Sequence, residues 1–499
     1  MSRDKKIINV LYAVFILGNL ALNVHQVVLN LYALVLGLLA INHLKWESKR
    51  ELLYYWVLLF AMMDFTFNLP LLGHYNIYYL HIALFGLTLS MLWELFQLRG
   101  HWHLRQLVQN KYLLFLTVFV VYMVTSLLWV HSYGAAVKTL INYAIMISFA
   151  VAVYRFNPNL VKLKQTLKFL FYCTVPVLIL GLIEITGLRM PVRTIFSDSG
   201  WYLKGPYYLK TIPTVFFYNP NNFATFLIMV MSFTLTAIAY SRRKLRRWEF
   251  MVLQVAILLN VIFSTSRTAY MTMLLTLVGF VTYLLATREK EKRQRVLTVA
   301  LLTLVIFYSL SFVPSLDVYY GKFNNTALLN KLSFHAQYHP TPIFAYGEEG
   351  STSERFTILV DVVKGVVLQG HPQGFGIANT SFYVAAEGNT HGIVNVHSLW
   401  FEILGDFGIG IFLYFIYIYL SILRGLLKVY QESRKQRPYG FLGYVSLSLI
   451  AALGGFILTA FAPSSVLNFS HMWLLLSLGI LVVNKQKRLL AEDKESLFD

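Results

Sequence analysis

His397 stands at the border of a long polar segment and an apolar run, in Val396-His397-Ser398-Leu399-Trp400-Phe401-Glu402-Ile403-Leu404-Gly405-Asp406-Phe407-Gly408-Ile409-Gly410. An imidazole at such a border can face water while staying partly desolvated, which keeps it neutral and suits it to act as a base. A satisfied structural histidine is the plainer account, since the chain has 13 histidines. Glu402 and Asp406 are four apart and share a helix face, so the two carboxylates repel unless one is protonated or a cation joins them. Ionisable groups in an apolar run are functional candidates by default.

Three further groups could handle an anion or a sugar. Arg267, in Ser264-Thr265-Ser266-Arg267 between two apolar runs, and Arg355, in the long polar segment, each carry the planar fork that fits phosphate oxygens. Snorkelling of Arg267 to lipid headgroups is the alternative. In Gly370-His371-Pro372-Gln373-Gly374-Phe375-Gly376, Gly374 and Gly376 permit a tight turn with N–H groups facing an anion, and a plain turn fits equally. Asn219-Pro220-Asn221-Asn222 reads first as a helix cap, yet the amides of Asn221 and Asn222 exceed what a cap needs and suit hydroxyls or phosphate. No cluster has metal-ligand spacing, so no metal site and no cofactor is expected.

The elements that must position these residues are membrane helices. The chain has 499 residues, 57% hydrophobic and 13% charged, with a mean hydropathy of +0.59, which excludes a soluble domain with a polar exterior. Fourteen apolar segments approach the roughly 20 residues a spanning helix requires. They cover about 7–24, 26–42, 52–71, 77–97, 112–131, 134–154, 167–187, 220–240, 248–264, 266–286, 296–314, 397–423, 439–461 and 465–484. The reading is an all-α, polytopic bundle of about 12 to 14 membrane helices, a single domain over 1–499.

Thirty-two of the 42 Lys and Arg residues fall in eight short loops within 3–6, 45–50, 99–111, 155–168, 242–247, 288–295, 424–437 and 485–494. Cytoplasmic loops retain positive charge, so both termini are expected inside. Every motif above then lies outside. Two outer segments are long: 188–219, with Trp201, Tyr202, Tyr207 and Tyr208 suited to the interface or to stacking on sugars, and 315–396, a cap in which 353–369 has the period of an amphipathic helix lying over the membrane. The net charge of +19 is explained by this topology and not by nucleic acid, because the cations follow loops and not one groove. The lone Cys173 excludes an internal disulfide.

Asn219-Pro220-Asn221, Ser266-Arg267, Arg355 followed by His371-Pro372-x-Gly374-x-Gly376, and His397 followed by Glu402, Asp406 and Gly408-x-Gly410 resemble the O-antigen ligase and polymerase superfamily of bacterial membrane glycosyltransferases. The resemblance covers roughly the C-terminal 280 residues, while the N-terminal half matches only as generic spans. It implies a fold like that of other polytopic glycosyltransferases using lipid-linked sugars, and a donor glycan on a polyprenyl diphosphate. Carried over by position, it implies that Arg267 and Arg355 hold the diphosphate and that His397 activates or positions the acceptor hydroxyl; Asn221, Ser266, Gly374, Gly376 and Glu402 are further candidates for substrate binding. Ser398 stands where an asparagine often follows the histidine, and Asp406 where a glutamate is frequent, which bears on acceptor recognition more than on the reaction.

Within that superfamily the expected activity is polymerisation of lipid-linked repeat units at the outer face of a bacterial cytoplasmic membrane, as in polymerases of teichuronic-acid-type polymers. A ligase that transfers finished glycan to another acceptor binds the same donor. Membrane lipid, a flippase and a chain-length regulator are the implied partners. A transporter is the reading from a different class, and it would need charged groups along a central path, for which Asp64, Glu94, Lys138 and Glu184 are the sparse candidates.

Overall fold

Helix Pro220–Tyr240 begins where its sequence requires: Pro220 occupies the first turn, and the Asn219 side chain accepts the Asn222 N–H at 2.9 Å. Its apolar window is 89% buried, which makes it the central column of the molecule. Around it pack Lys244–Phe263, Arg267–Ala286, Lys290–Ser311 and Phe441–Thr459. Buried polar side chains join neighbours, as where Thr234 Oγ1 meets Gln254 Oε1 at 2.7 Å.

The computed structural model describes residues 3–63, 67–71, 75–97, 109–286, 289–335, 345–463 and 467–493. Asp64, Arg99, Arg105, Arg288, Lys494 and residues 336–344 of the large loop lie outside them. Among the described residues nine helices are long and apolar enough to cross a membrane, and Tyr79–Glu94, Lys111–Ser126 and Ser470–Asn484 are shorter apolar helices. The chain is an all-α, multi-pass membrane protein.

Two expected spans need correction. The segment 52–71 ends early: its helix is Lys49–Ala61, and Asn68–Leu71 pairs antiparallel with Tyr75–Tyr78 in a small hairpin. Pro70 and the flanking asparagines do not continue a helix. The segment 397–423 is part of Leu399–Gln436, which is broken at Gly408, where φ is 73° and ψ is −175°.

The basic loops meet at one end of the bundle. Lys292 Nζ donates to Pro438 C=O at 2.5 Å, Arg295 to Ala239 C=O at 3.0 Å, and Lys485 to Asn157 C=O at 3.0 Å. At the opposite end, Leu399 N–H donates to Ala460 C=O at 3.1 Å and Thr225 Oγ1 to Thr459 C=O at 3.5 Å. The described residues of 188–219 and 315–396 cover that second end.

The larger segment carries helices Asp317–Asn324, Ser351–Val363 and Thr380–Glu387. Its core is Ile358, Val362, Val366, Val384, Val396 and Leu404. Over 353–369, Ile358, Val362 and Val366 are buried in this core, while Val363, Val367 and Leu368 are exposed. In the smaller segment, Glu184 pairs with Arg189 at 3.4 Å and accepts the Thr214 and Val215 N–H groups, each at 2.8 Å. The aromatic set there divides: Trp201 and Tyr207 are exposed, whereas Tyr202 and Tyr208 pack on Phe196, Leu209 and Ile212.

Candidate active site

Arg267 opens helix Arg267–Ala286 directly after the buried turn Ser264-Thr265-Ser266. Thr265 has φ of +53°, a left-handed conformation costly for a β-branched residue. The turn is therefore forced by its surroundings, and it delivers a cation to a helix N-terminus, the end where the macrodipole is already positive. The Arg267 guanidinium donates to Thr352 Oγ1, and its Nε is buried without a hydrogen-bond partner. Ser266, buried beside it, shares a hydrogen bond with Thr268.

Thr352 belongs to helix Ser351–Val363, and Arg355 follows one turn later on the same face. Burial pushes the Arg355 guanidinium down from its ordinary pKa, and Arg267 pushes it further, against a smaller opposing effect of Glu354. Lys322, on helix Asp317–Asn324, completes the group. Its residue surface is exposed, yet its ammonium is lowered to about 8 by desolvation and then by Arg267 and Arg355. Among the described residues, no carboxylate forms an ion pair with Arg267, Lys322 or Arg355. Arg267 and Arg355 lower the Lys322 ammonium and Arg267 lowers Arg355, with Glu354 partly offsetting the effect on Arg355.

His397 lies at φ of +50°, two residues before Leu399–Gln436 begins. Its imidazole is lowered to about 4, first by burial and then by Arg355, while a hydrogen bond from the ring to the Pro463 carbonyl acts the other way. The ring is thus neutral at physiological pH and within the field of the cation cluster. Nδ1 is buried without a hydrogen-bond partner, as is the adjacent Ser398 Oγ. Asn222 Oδ1 is another buried atom without one, and Asn222 shares a helix face with Thr225, which contacts the end of Phe441–Thr459 just before Pro463. Asn221 beside it is half-buried, as Asn222 is.

The glycine motifs have a different use from the one expected. At the Gly408 break, Phe375 N–H donates to Gly405 C=O at 2.7 Å, Gly376 N–H to Asp406 C=O at 3.0 Å, and Ile409 N–H to Pro372 C=O at 2.9 Å. The Gly374 N–H is taken by His371 C=O at 2.8 Å. With Gly374 and Gly376 so engaged, the anion-facing turn is corrected to a backbone plug that satisfies a broken membrane helix. The approach is close: a Cβ on Gly408 would lie 2.1 Å from Pro372 O, and one on Gly374 2.5 Å from Gly408 N.

Asp406 is likewise structural. Its carboxylate accepts Ala378 N–H at 2.8 Å, Thr380 N–H at 3.2 Å and the Thr380 hydroxyl at 2.6 Å. Of the Glu402 and Asp406 carboxylates, expected to repel unless one is protonated or a cation joins them, Asp406 is engaged by the 378–380 loop. Glu402 is half-buried one turn earlier. The N-terminal half also holds this plug: Tyr122 donates to Gln373 C=O at 2.8 Å, and Ser126 Oγ accepts Ile377 N–H at 3.2 Å.

Residues 250–416 match the O-antigen ligase family. The match contains Arg267, Lys322, Arg355 and His397, so the cation cluster and the histidine fall within the family's domain, while Asn219–Asn222 precede it. The chain is also 24% identical over 423 residues to the teichuronic acid biosynthesis protein TuaE of Bacillus subtilis (strain 168), covering 84% of this chain and 80% of that protein. Both likenesses agree with the resemblance to the O-antigen ligase and polymerase superfamily carried by the motifs. The charges a transporter would need do not form a path among the described residues: Glu94 pairs with Arg50 and Arg155, Glu184 with Arg189, and Lys138 is exposed on an outer face.

Proposed function

We propose that this chain is a glycosyltransferase that polymerises polyprenyl-diphosphate-linked oligosaccharide repeat units at the outer face of the bacterial cytoplasmic membrane, with both termini in the cytoplasm. The observation that carries the reading is the convergence of Arg267, Lys322 and Arg355, unpaired by any described acid, on the end of the bundle where His397 stands. A diphosphate leaving group needs its charge neutralised and the acceptor aligned, and little more. The arginines provide the first, and His397 accepts the acceptor hydroxyl's proton as oxygen attacks the anomeric carbon from the face opposite the diphosphate, inverting it. No metal enters this scheme.

The field of Arg355 contributes to lowering His397, so an anion bound to Arg355 raises the basicity of the imidazole. The base is strengthened when the donor is in place. An apolar cavity of about 300 Å³ lined by Phe115, Phe119, Tyr143, Leu399, Ile403 and Trp473 adjoins the half-helix after His397 and suits a polyprenyl chain.

The family's description as an O-antigen ligase supports a second reading, transfer of finished glycan to a different acceptor. Purified protein supplied with lipid-linked repeat units separates the two. A ladder of products increasing by whole repeats on polyprenyl diphosphate is expected; single transfer to an added non-polyprenyl acceptor identifies the ligase, and lipid flipping without new glycosidic bonds identifies a transporter.

A further inference from the structure

Lys322 belongs to no motif, yet the fold fixes the helix that carries it. The Tyr270 hydroxyl donates to Tyr319 C=O at 3.2 Å, and the Tyr320 hydroxyl to Phe307 C=O at 2.8 Å, so helix Asp317–Asn324 is fastened to two membrane helices. A lysine in the last turn of a short helix ordinarily serves the helix dipole and extends into water. Here its neighbour Phe323 packs edge-on against Tyr270 at 5.8 Å, one turn into the helix that Arg267 opens, so Lys322 stands beside that helix's first turn and in the field of both arginines. A flexible ammonium turns away from like charge unless the site has a use for it.

A diphosphate has two groups of non-bridging oxygens. Two guanidinium forks suffice for one phosphoryl group, and the second requires a further donor, for which a compact ammonium is suited. We propose that Lys322 is the third phosphate-binding cation of this site and sets its preference for a diphosphate over a monophosphate ester. This rests on the reading of Arg267 and Arg355 as the diphosphate clamp. Discrimination of this kind matters because polyprenyl monophosphate shares the membrane-anchoring tail and would otherwise compete through it.

The test is direct binding of two probes, polyprenyl diphosphate and polyprenyl monophosphate, to the purified full-length protein in lipid nanodiscs. The parent is compared with Lys322→Met, Lys322→Arg, Arg267→Met and Arg355→Met. Because Lys322 is exposed, its replacement removes little packing, and thermal unfolding of each variant checks the fold. Lys322→Met is expected to weaken diphosphate binding by about tenfold or more, as for loss of a charge-assisted hydrogen bond, with monophosphate binding nearly unchanged and Lys322→Arg close to the parent. If Lys322→Met binds both probes as the parent does while the arginine variants lose the diphosphate, Lys322 is not a ligand and the clamp stands. Equal weakening of both probes overturns the claimed preference. If the arginine variants also bind normally, the clamp falls and the role of Lys322 with it.

Discussion

Arg267 donates a hydrogen bond to the Thr352 hydroxyl, joining the first turn of a membrane helix to the first turn of the cap helix that carries Arg355. The contact fixes the relative positions of two cations that would otherwise repel each other apart. Removing it in Thr352→Val should raise the donor KM several-fold with little change in kcat, because it loosens the clamp and leaves His397 untouched. Steady-state kinetics with a lipid-linked donor checks this, and a fall confined to kcat contradicts it.

Arg267→Lys and Arg355→Lys keep the charge and lose the fork. Each should reduce kcat/KM by about tenfold or more, at normal membrane expression. Undiminished polymer from both variants would remove the clamp.

His397→Ala should reduce turnover by about 10² to 10⁴-fold, the range of general acid–base assistance, while lipid-linked repeat units accumulate because the cations still bind them. The readout is the lipid-linked pool beside the polymer. A folded variant that elongates at the parental rate disproves the assignment.

The pH dependence of kcat/KM follows from two groups. His397 must be neutral to take a proton, and its protonated form gains only as pH falls toward about 4, so activity should persist below pH 6, where an ordinary histidine would already be charged. Lys322 must be charged, so activity should decline as pH rises through about 8. Lys322→Arg should remove the alkaline decline and leave the acid limb in place. An acid limb near 6.5 would refute the desolvated state of His397.

Gly408→Ala should destabilise the protein by about 1 to 3 kcal/mol or more, since its backbone occupies a region open essentially to glycine alone. The added Cβ would also meet Pro372 O at 2.1 Å. Thermal unfolding in detergent measures the loss. A variant as stable as the parent would mean that the plug does not seal the break.

The membrane helices were legible in the sequence because crossing a bilayer demands long apolar runs, and the basic loops between them gave the two ends of the bundle. His397 and Arg267 stood out as polar groups at the edges of apolar segments, and Arg355 as a cation in the long polar segment. The role of the glycine motifs was not legible, since a Gly-x-Gly turn that binds an anion and one that seals a broken helix have the same letters. What differs is the partner, and Gly405, Asp406 and Ile409 come from another part of the chain. Lys322 was hidden because nothing local distinguishes it from any lysine at a helix end.

The sequence by itself therefore determined the apolar columns, the two ends and the charged residues at one of them, all of which follow from the free energy of placing each residue in or out of hydrocarbon. Which of those residues come within one another's electrostatic field was settled by the packed fold. Arg267, Lys322, Arg355 and His397 are separated by 55, 33 and 42 residues along the chain, and they meet because packing around helix Pro220–Tyr240 brings one membrane helix, the cap and the start of the broken helix to the same end. Electrostatic coupling acts through space, so the lowered pKa values of Lys322 and His397 exist only once that packing is complete.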